Sequence, residues 1–148
     1  MTQSATPEER LVRDLLEDIR SGSRQIYFGT DGTFTCFSDG RFLERADALP
    51  LAIDKLRYQA AENLSADAIR KMIPQDAGRF GEIPGSIEQT GNRYELLCKN
   101  YTCVVYSVLY DYLKVRYPEP RIYCLGRNKP VVFMQSDIVR AVLMPIKT

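Results

Sequence analysis

Apolar positions along the chain switch between two periods, and the switches divide it into elements. Leu11, Val12, Leu15, Leu16 and Ile19 recur at three- and four-residue steps, which places them on one face of a helix. Thr6-Pro7-Glu8-Glu9 supplies a capping side chain, a proline at the first helical position and two acids where the helix dipole favours them, and Ser21-Gly22-Ser23 ends the run. Two short aromatic and β-favouring runs follow, Gln25 to Phe28 and Thr33 to Phe37, and then Arg41-Phe42-Leu43. The Asp-Gly pairs Asp31-Gly32 and Asp39-Gly40 separate them and supply the positive backbone angles of tight turns. A β-meander is predicted over 23–45.

Helical spacing returns with Leu49, Ile53, Leu56, Ala60 and Leu64, and again, behind a fresh cap at Ser65, with Ile69, Met72 and Ile73. Two consecutive helices, or one kinked helix, are expected over 47–73. The stretch 74–92 carries Gly78, Gly81, Pro84, Gly85 and Gly91 and reads as a mobile loop. Tyr94 to Lys99 reads as a strand, and Asn100 as the cap of a helix traced by Tyr101, Val104, Val105, Val108, Leu109, Tyr112 and Leu113 to about Arg116, where Pro118 and Pro120 stop it. Strands are expected at Arg121 to Leu125, Pro130 to Met134 and Ile138 to Ile146. The fold class is therefore α+β in a single domain: N-terminal helix, β-meander, central helices, and a C-terminal strand-helix-three-strand unit over 93–148.

Composition narrows the chemistry. With 45% apolar and 26% charged residues in 148, the chain has the mix of an ordinary globular domain. Its net charge of +1 gives no long-range attraction to nucleic acid or an anionic membrane. No apolar stretch is long enough to span a bilayer, and the polar start MTQSATPEER lacks the layout of a signal peptide, so a cytoplasmic protein without membrane attachment is expected. There is no histidine, which removes serine-triad, Cys-His and zinc-hydrolase chemistry. Cys36, Cys98, Cys103 and Cys124 lack Cys-x-x-Cys spacing and sit in apolar surroundings, so they are read as buried thiols, with neither metal nor cofactor expected. Gly29-Thr30-Asp31-Gly32 lacks the helix start that a phosphate loop needs.

Seven tyrosines lie between Tyr94 and Tyr123, and aromatics beside Tyr123, Arg127, Lys129 and Arg140 give a nucleotide or single-stranded nucleic-acid binder as one alternative. Packing of those rings between core and rim is the competing reading. A metal-dependent carboxylate hydrolase is a second alternative. Glu95 and Lys99 are its nearest pair, but four residues along a strand separate them by about 13 Å, and Asp111 and Asp137 lie far apart in sequence.

The closing run draws the strongest inference. Both faces of Ile138 to Leu143 carry apolar side chains, so the strand is expected to be covered on two sides until Pro145, which cannot donate to a ladder. Met144, Pro145 and Ile146, with Phe133 and Met134 nearby, are therefore read as the rim of an apolar groove for a partner's peptide, with a simply tucked tail as the competing reading. Residues Tyr94 to Thr148 resemble the last strand-helix-three-strand half-domain of the bacterial DNA polymerase III beta sliding clamp, in Asn100 before the helix, in Lys129-Pro130-Val131-Val132, and in Val142-Leu143-Met144-Pro145-Ile146-Lys147. Thr30-Asp31-Gly32 is similar to that family's Thr-Asp-Gly hairpin. The resemblance implies that Met144, Pro145 and Ile146 help to receive clamp-binding peptides. The chain ends Lys147-Thr148 where the family has Arg-Leu, and it is too short for a three-domain protomer. The expectation is a non-catalytic protein-interaction module, a reduced clamp-like adaptor and not a DNA-encircling ring.

Overall fold

The computed structural model describes residues 5–60 and 63–148. Helix α1 (Pro7–Ser21) starts where the sequence predicts: the Thr6 side chain accepts from the Glu9 backbone N–H, and Gly22, at φ 75°, closes the helix by donating to Ile19. Strands β1 (Tyr27–Thr30), β2 (Thr35–Ser38) and β3 (Phe42–Ala46) form the expected antiparallel meander.

The central region departs from expectation. Only a four-residue helix, α2 (Leu51–Asp54), and a 3-10 turn at Arg57–Gln59 appear before residue 60, and 61–62 lie outside the described residues. Helix cannot continue to Leu64, because the Leu64 N–H donates to the Phe28 carbonyl and Leu64 bridges Gly29 in parallel. The periodic spacing of Ile53 and Leu56 reflects their burial. Helix α3 (Ala66–Met72) does begin at a Ser65 cap. The predicted loop 74–92 holds helix α4 (Ala77–Phe80) and strand β4 (Ser86–Thr90). All five β4 residues are exposed, so the strand carries no hydrophobic alternation; its pairing with β5 (Arg93–Leu97) defines it.

Asn100 does not cap a helix. It lies in the turn between β5 and β6 (Thr102–Tyr106), and helix α5 runs only from Ser107 to Arg116. Thr102, Val104 and Val105 are β-branched and suit a pleated strand, and an apolar run of this length satisfies both periods. Strands β7 (Arg121–Cys124), β8 (Val131–Gln135) and β9 (Ile138–Leu143) complete the expected C-terminal meander, with β9 ending before Met144.

Strand order explains the architecture. One six-stranded sheet runs β1-β2-β3-β9-β8-β7, and β4-β5-β6 form a second, three-stranded sheet. The first order is palindromic: a helix followed by three strands (α1, β1–β3) meets a second helix followed by three strands (α5, β7–β9) through the β3–β9 pair, and α1 packs on α5. The core joins Leu11 and Leu15 of α1, Leu109 and Leu113 of α5, Phe37, Phe42, Phe133 and Leu143 of the larger sheet, and Leu96 and Val105 of the smaller. On the other face of the larger sheet, Ile69 of α3 packs with Cys36 and Leu43. The whole is a single α+β domain.

Candidate functional site

The C-terminal residues serve first as a brace. Past β9, the Met144 N–H donates to the Arg41 carbonyl at 2.8 Å and the Ile146 N–H to the Val104 carbonyl at 2.8 Å, so the segment ties β3 of one sheet to β6 of the other. Pro145 sits between these donors, where no N–H is needed. Met144, Pro145 and Ile146 are half-buried. Beyond them, Asn128 Oδ1 accepts from the Thr148 N–H, while Arg127 donates to Thr148.

The five residues predicted to share one rim are not together. Phe133 is fully buried in the core, with its ring edge-on to Tyr110, so no partner reaches it. Met134 pairs with Val139, five residues before Met144 along β9 and its continuation, a separation of about 16 Å for extended chain. It lies at the opposite end of the strand from Met144. Alternation along β8 decides this, since Phe133 and Met134 project to opposite faces.

Met134 instead joins a cavity of about 660 Å³ between α4, β7 and the β8–β9 turn, lined by Gly78, Arg79, Arg121, Tyr123, Met134 and the turn residues Gln135 to Asp137, with Glu119 at its edge. Gly78 provides the room: a Cβ there would lie 3.8 Å from Met134 Sδ and 4.0 Å from the Tyr123 hydroxyl. Gly81 fixes α4 against the sheet, because a Cβ at that position would come within 2.6 Å of the Ala77 carbonyl and 2.7 Å of Tyr123 Cβ. Just beyond Gly81, Glu82 and Cys124 exchange two backbone hydrogen bonds of 2.8 Å, which fasten the segment to the edge of β7. Phe80 and Ile83, which flank this junction, are 68% and 63% exposed. Sequence reading missed the cavity because one of its walls, Gly78 and Arg79 of α4, comes from a stretch read as loop. The signal available was the pair of apolar residues among the breakers, Phe80 and Ile83.

Among the described residues, three of the four non-glycine ones with positive φ, Glu119, Ser136 and Asp137, border this cavity. Ser136 and Asp137 are the two central residues of the hairpin joining Gln135 to Ile138, and positive φ at both is the requirement of the tight turn that follows sheet twist.

The residues proposed for nucleic acid are spread over β7, the β7–β8 turn and β9, and two of them, Arg127 and Arg140, are engaged within the chain. Arg127 and Lys129 are exposed in the β7–β8 turn, Arg127 engaged with Thr148. Arg140, 14% exposed, lies over the rings of Phe34 and Tyr117, and Tyr123 is buried. Among the seven tyrosines, the hydroxyls of Tyr94 and Tyr101 bond Asp111 and the Cys124 carbonyl, and those of Tyr112 and Tyr117 both bond Glu44 at 2.5 Å. Asp31 of the Thr-Asp-Gly turn accepts from the Thr33 and Phe34 N–H groups and from Arg45, which pins the hairpin to β3. Glu95 faces Glu88 across the β4–β5 pair and Lys99 lies in the following turn. Among the described residues, no group of three Cys, Asp or Glu side chains is arranged to hold a metal ion.

No family model, no curated protein and no solved structure matches this chain.

Proposed function

We propose that this protein is a non-catalytic interaction module, a reduced sliding-clamp-like adaptor that receives a short segment of a partner protein in the cleft between α4 and the β7–β8 end of the sheet. The observation that carries the reading is the cavity of about 660 Å³ lined by Met134 and Tyr123 together with Arg79 and Arg121, beside a segment whose Phe80 and Ile83 are exposed. A pocket of that size holds one or two side chains of a peptide; its lining is mainly polar, and polarizable Met134 beside amphipathic Tyr123 is the one surface in it for an apolar anchor. Arg79 and Arg121 at the wall match a carboxylate on the same segment. Supporting the clamp-like part of the reading are the two helix-plus-three-strand units joined through β3 and β9, and the resemblance of Lys129-Pro130-Val131-Val132 and Val142 to Lys147 to a clamp half-domain.

Peptides selected from a displayed random library on the full chain test this proposal. The expected set shares one apolar anchor with an adjacent acid, and bound peptide slows amide exchange in 77–83 and 121–123. Protection confined to 144–146 would move the site to the Met-Pro-Ile rim. Binding of oligonucleotides with a steep salt dependence, in place of peptides, would favour the nucleic-acid alternative.

A further inference from the structure

Three of the four cysteines converge where the two sheets meet. Cys103 pairs with Leu96, and the Cys98 N–H donates to the Tyr101 carbonyl at 3.0 Å, so Cys98 and Cys103 are diagonal neighbours on one face of the β5–β6 hairpin. That face abuts the end of β7: the Tyr101 hydroxyl donates to the Cys124 carbonyl at 2.7 Å, and the Cys103 thiol donates to the Gly126 carbonyl at 3.1 Å. Cys103 and Cys124 belong to one buried cluster and Cys98 packs against it, so the three thiols are neighbours and each influences the ionisation of Cys124 or is influenced by it. Cys103 and Cys124 are buried, Cys98 is half-exposed, and all are free thiols. Cys36 belongs to a different cluster, on the other face of the larger sheet.

We infer that this trio is an oxidation site in which Cys98 reacts with a peroxide and Cys124 resolves it, forming a disulfide that joins the two sheets. Exposure sets the order, because only Cys98 is open to a solvent-borne oxidant, and its contact with Cys124 supplies the second thiol. In the first step the Cys98 sulfur attacks one peroxide oxygen, the O–O bond breaks and water leaves, giving the sulfenic acid. In the second step the Cys124 sulfur attacks that sulfur, the S–O bond breaks, and the hydroxyl leaves as water with the proton from Cys124. Two thiols lose two hydrogens and two electrons; one peroxide becomes two waters. Burial pushes the Cys98 thiol above its ordinary range, so the thiolate fraction, and with it the rate, rises as pH is raised.

The test is an intact-mass measurement and non-reducing peptide map of the full chain after hydrogen peroxide treatment. The expected result is a monomer lighter by two hydrogens with a Cys98–Cys124 link, unchanged in Cys36→Ser and Cys103→Ser and absent in Cys98→Ser. In Cys124→Ser, a sulfenic-acid trap should label Cys98. The wild-type map decides without any variant: a link between chains, or Cys98 advanced to sulfinic acid with Cys124 still reduced, would overturn the inference.

Discussion

Glu44 is a carboxyl with no exposed surface, held by two hydroxyls and a guanidinium. Tyr112 and Tyr117 donate to it at 2.5 Å each and Arg116 Nε at 3.2 Å, which links β3 to α5 and to the residue that follows it. Arg116 also bonds the Ala48 carbonyl. Burial, the largest influence, raises the Glu44 pKa above its ordinary 4.5, with the three donors pulling the other way. A carboxyl that holds its proton more tightly folded than unfolded contributes stability that is complete below about 4.5 and is lost as pH rises through the folded value. Chemical denaturation across the acid range should therefore show a falling contribution with rising pH that Glu44→Gln removes. Glu44→Ala, which strips acceptors from the two buried tyrosine hydroxyls and the partly exposed Arg116, should cost about 2–4 kcal/mol in the same measurement. At the β8–β9 turn, Ser136 and Asp137 hold positive φ at some expense. Replacing the pair by Asn-Gly should raise the unfolding free energy by roughly 1 kcal/mol.

Elements with a side-chain signature were legible, and elements defined by the backbone were not. Thr6-Pro7 and Gly22 bracket α1, Ser65 starts α3, and alternating or aromatic runs mark β1–β3 and β7–β9. By contrast, β4 exposes every residue, and its existence depends on β5 lying beside it, a long-range fact that no local pattern carries. At β6, TCVVY fits a strand and a helix turn equally until pairing with β5 decides. The Met-Pro-Ile tail stands out in the sequence, but that Pro145 lies between backbone bonds to different sheets is visible only once both sheets exist. The α4 cleft was hidden for the same reason. Gly81→Ala tests how it is built: the added methyl meets Ala77 and Tyr123 at sub-contact distance, so unfolding free energy should drop by about 1–3 kcal/mol, with faster amide exchange in 77–83.

At the scale of the molecule, the two sheets and two helices share one core, and the C-terminal segment is a direct hydrogen-bonded strap between the sheets. Removing residues 144–148 deletes the bonds to Arg41 and Val104, and at about 1 kcal/mol each this should lower stability by roughly 2 kcal/mol on thermal or chemical unfolding while far-ultraviolet dichroism keeps its shape. The partner cleft lies at the other end of β8, so this truncation should leave peptide binding intact once folding is accounted for. The central claim is that the cleft beside α4 seats a partner segment. It is tested most directly by titrating a library-selected peptide against the wild type and Gly78→Leu, whose added side chain points toward Met134 and Tyr123 and fills the cleft. The expected result for Gly78→Leu is at least about a tenfold weaker Kd, equivalent to roughly 1.4 kcal/mol, with thermal stability unchanged. Equal affinity in the two proteins would contradict it.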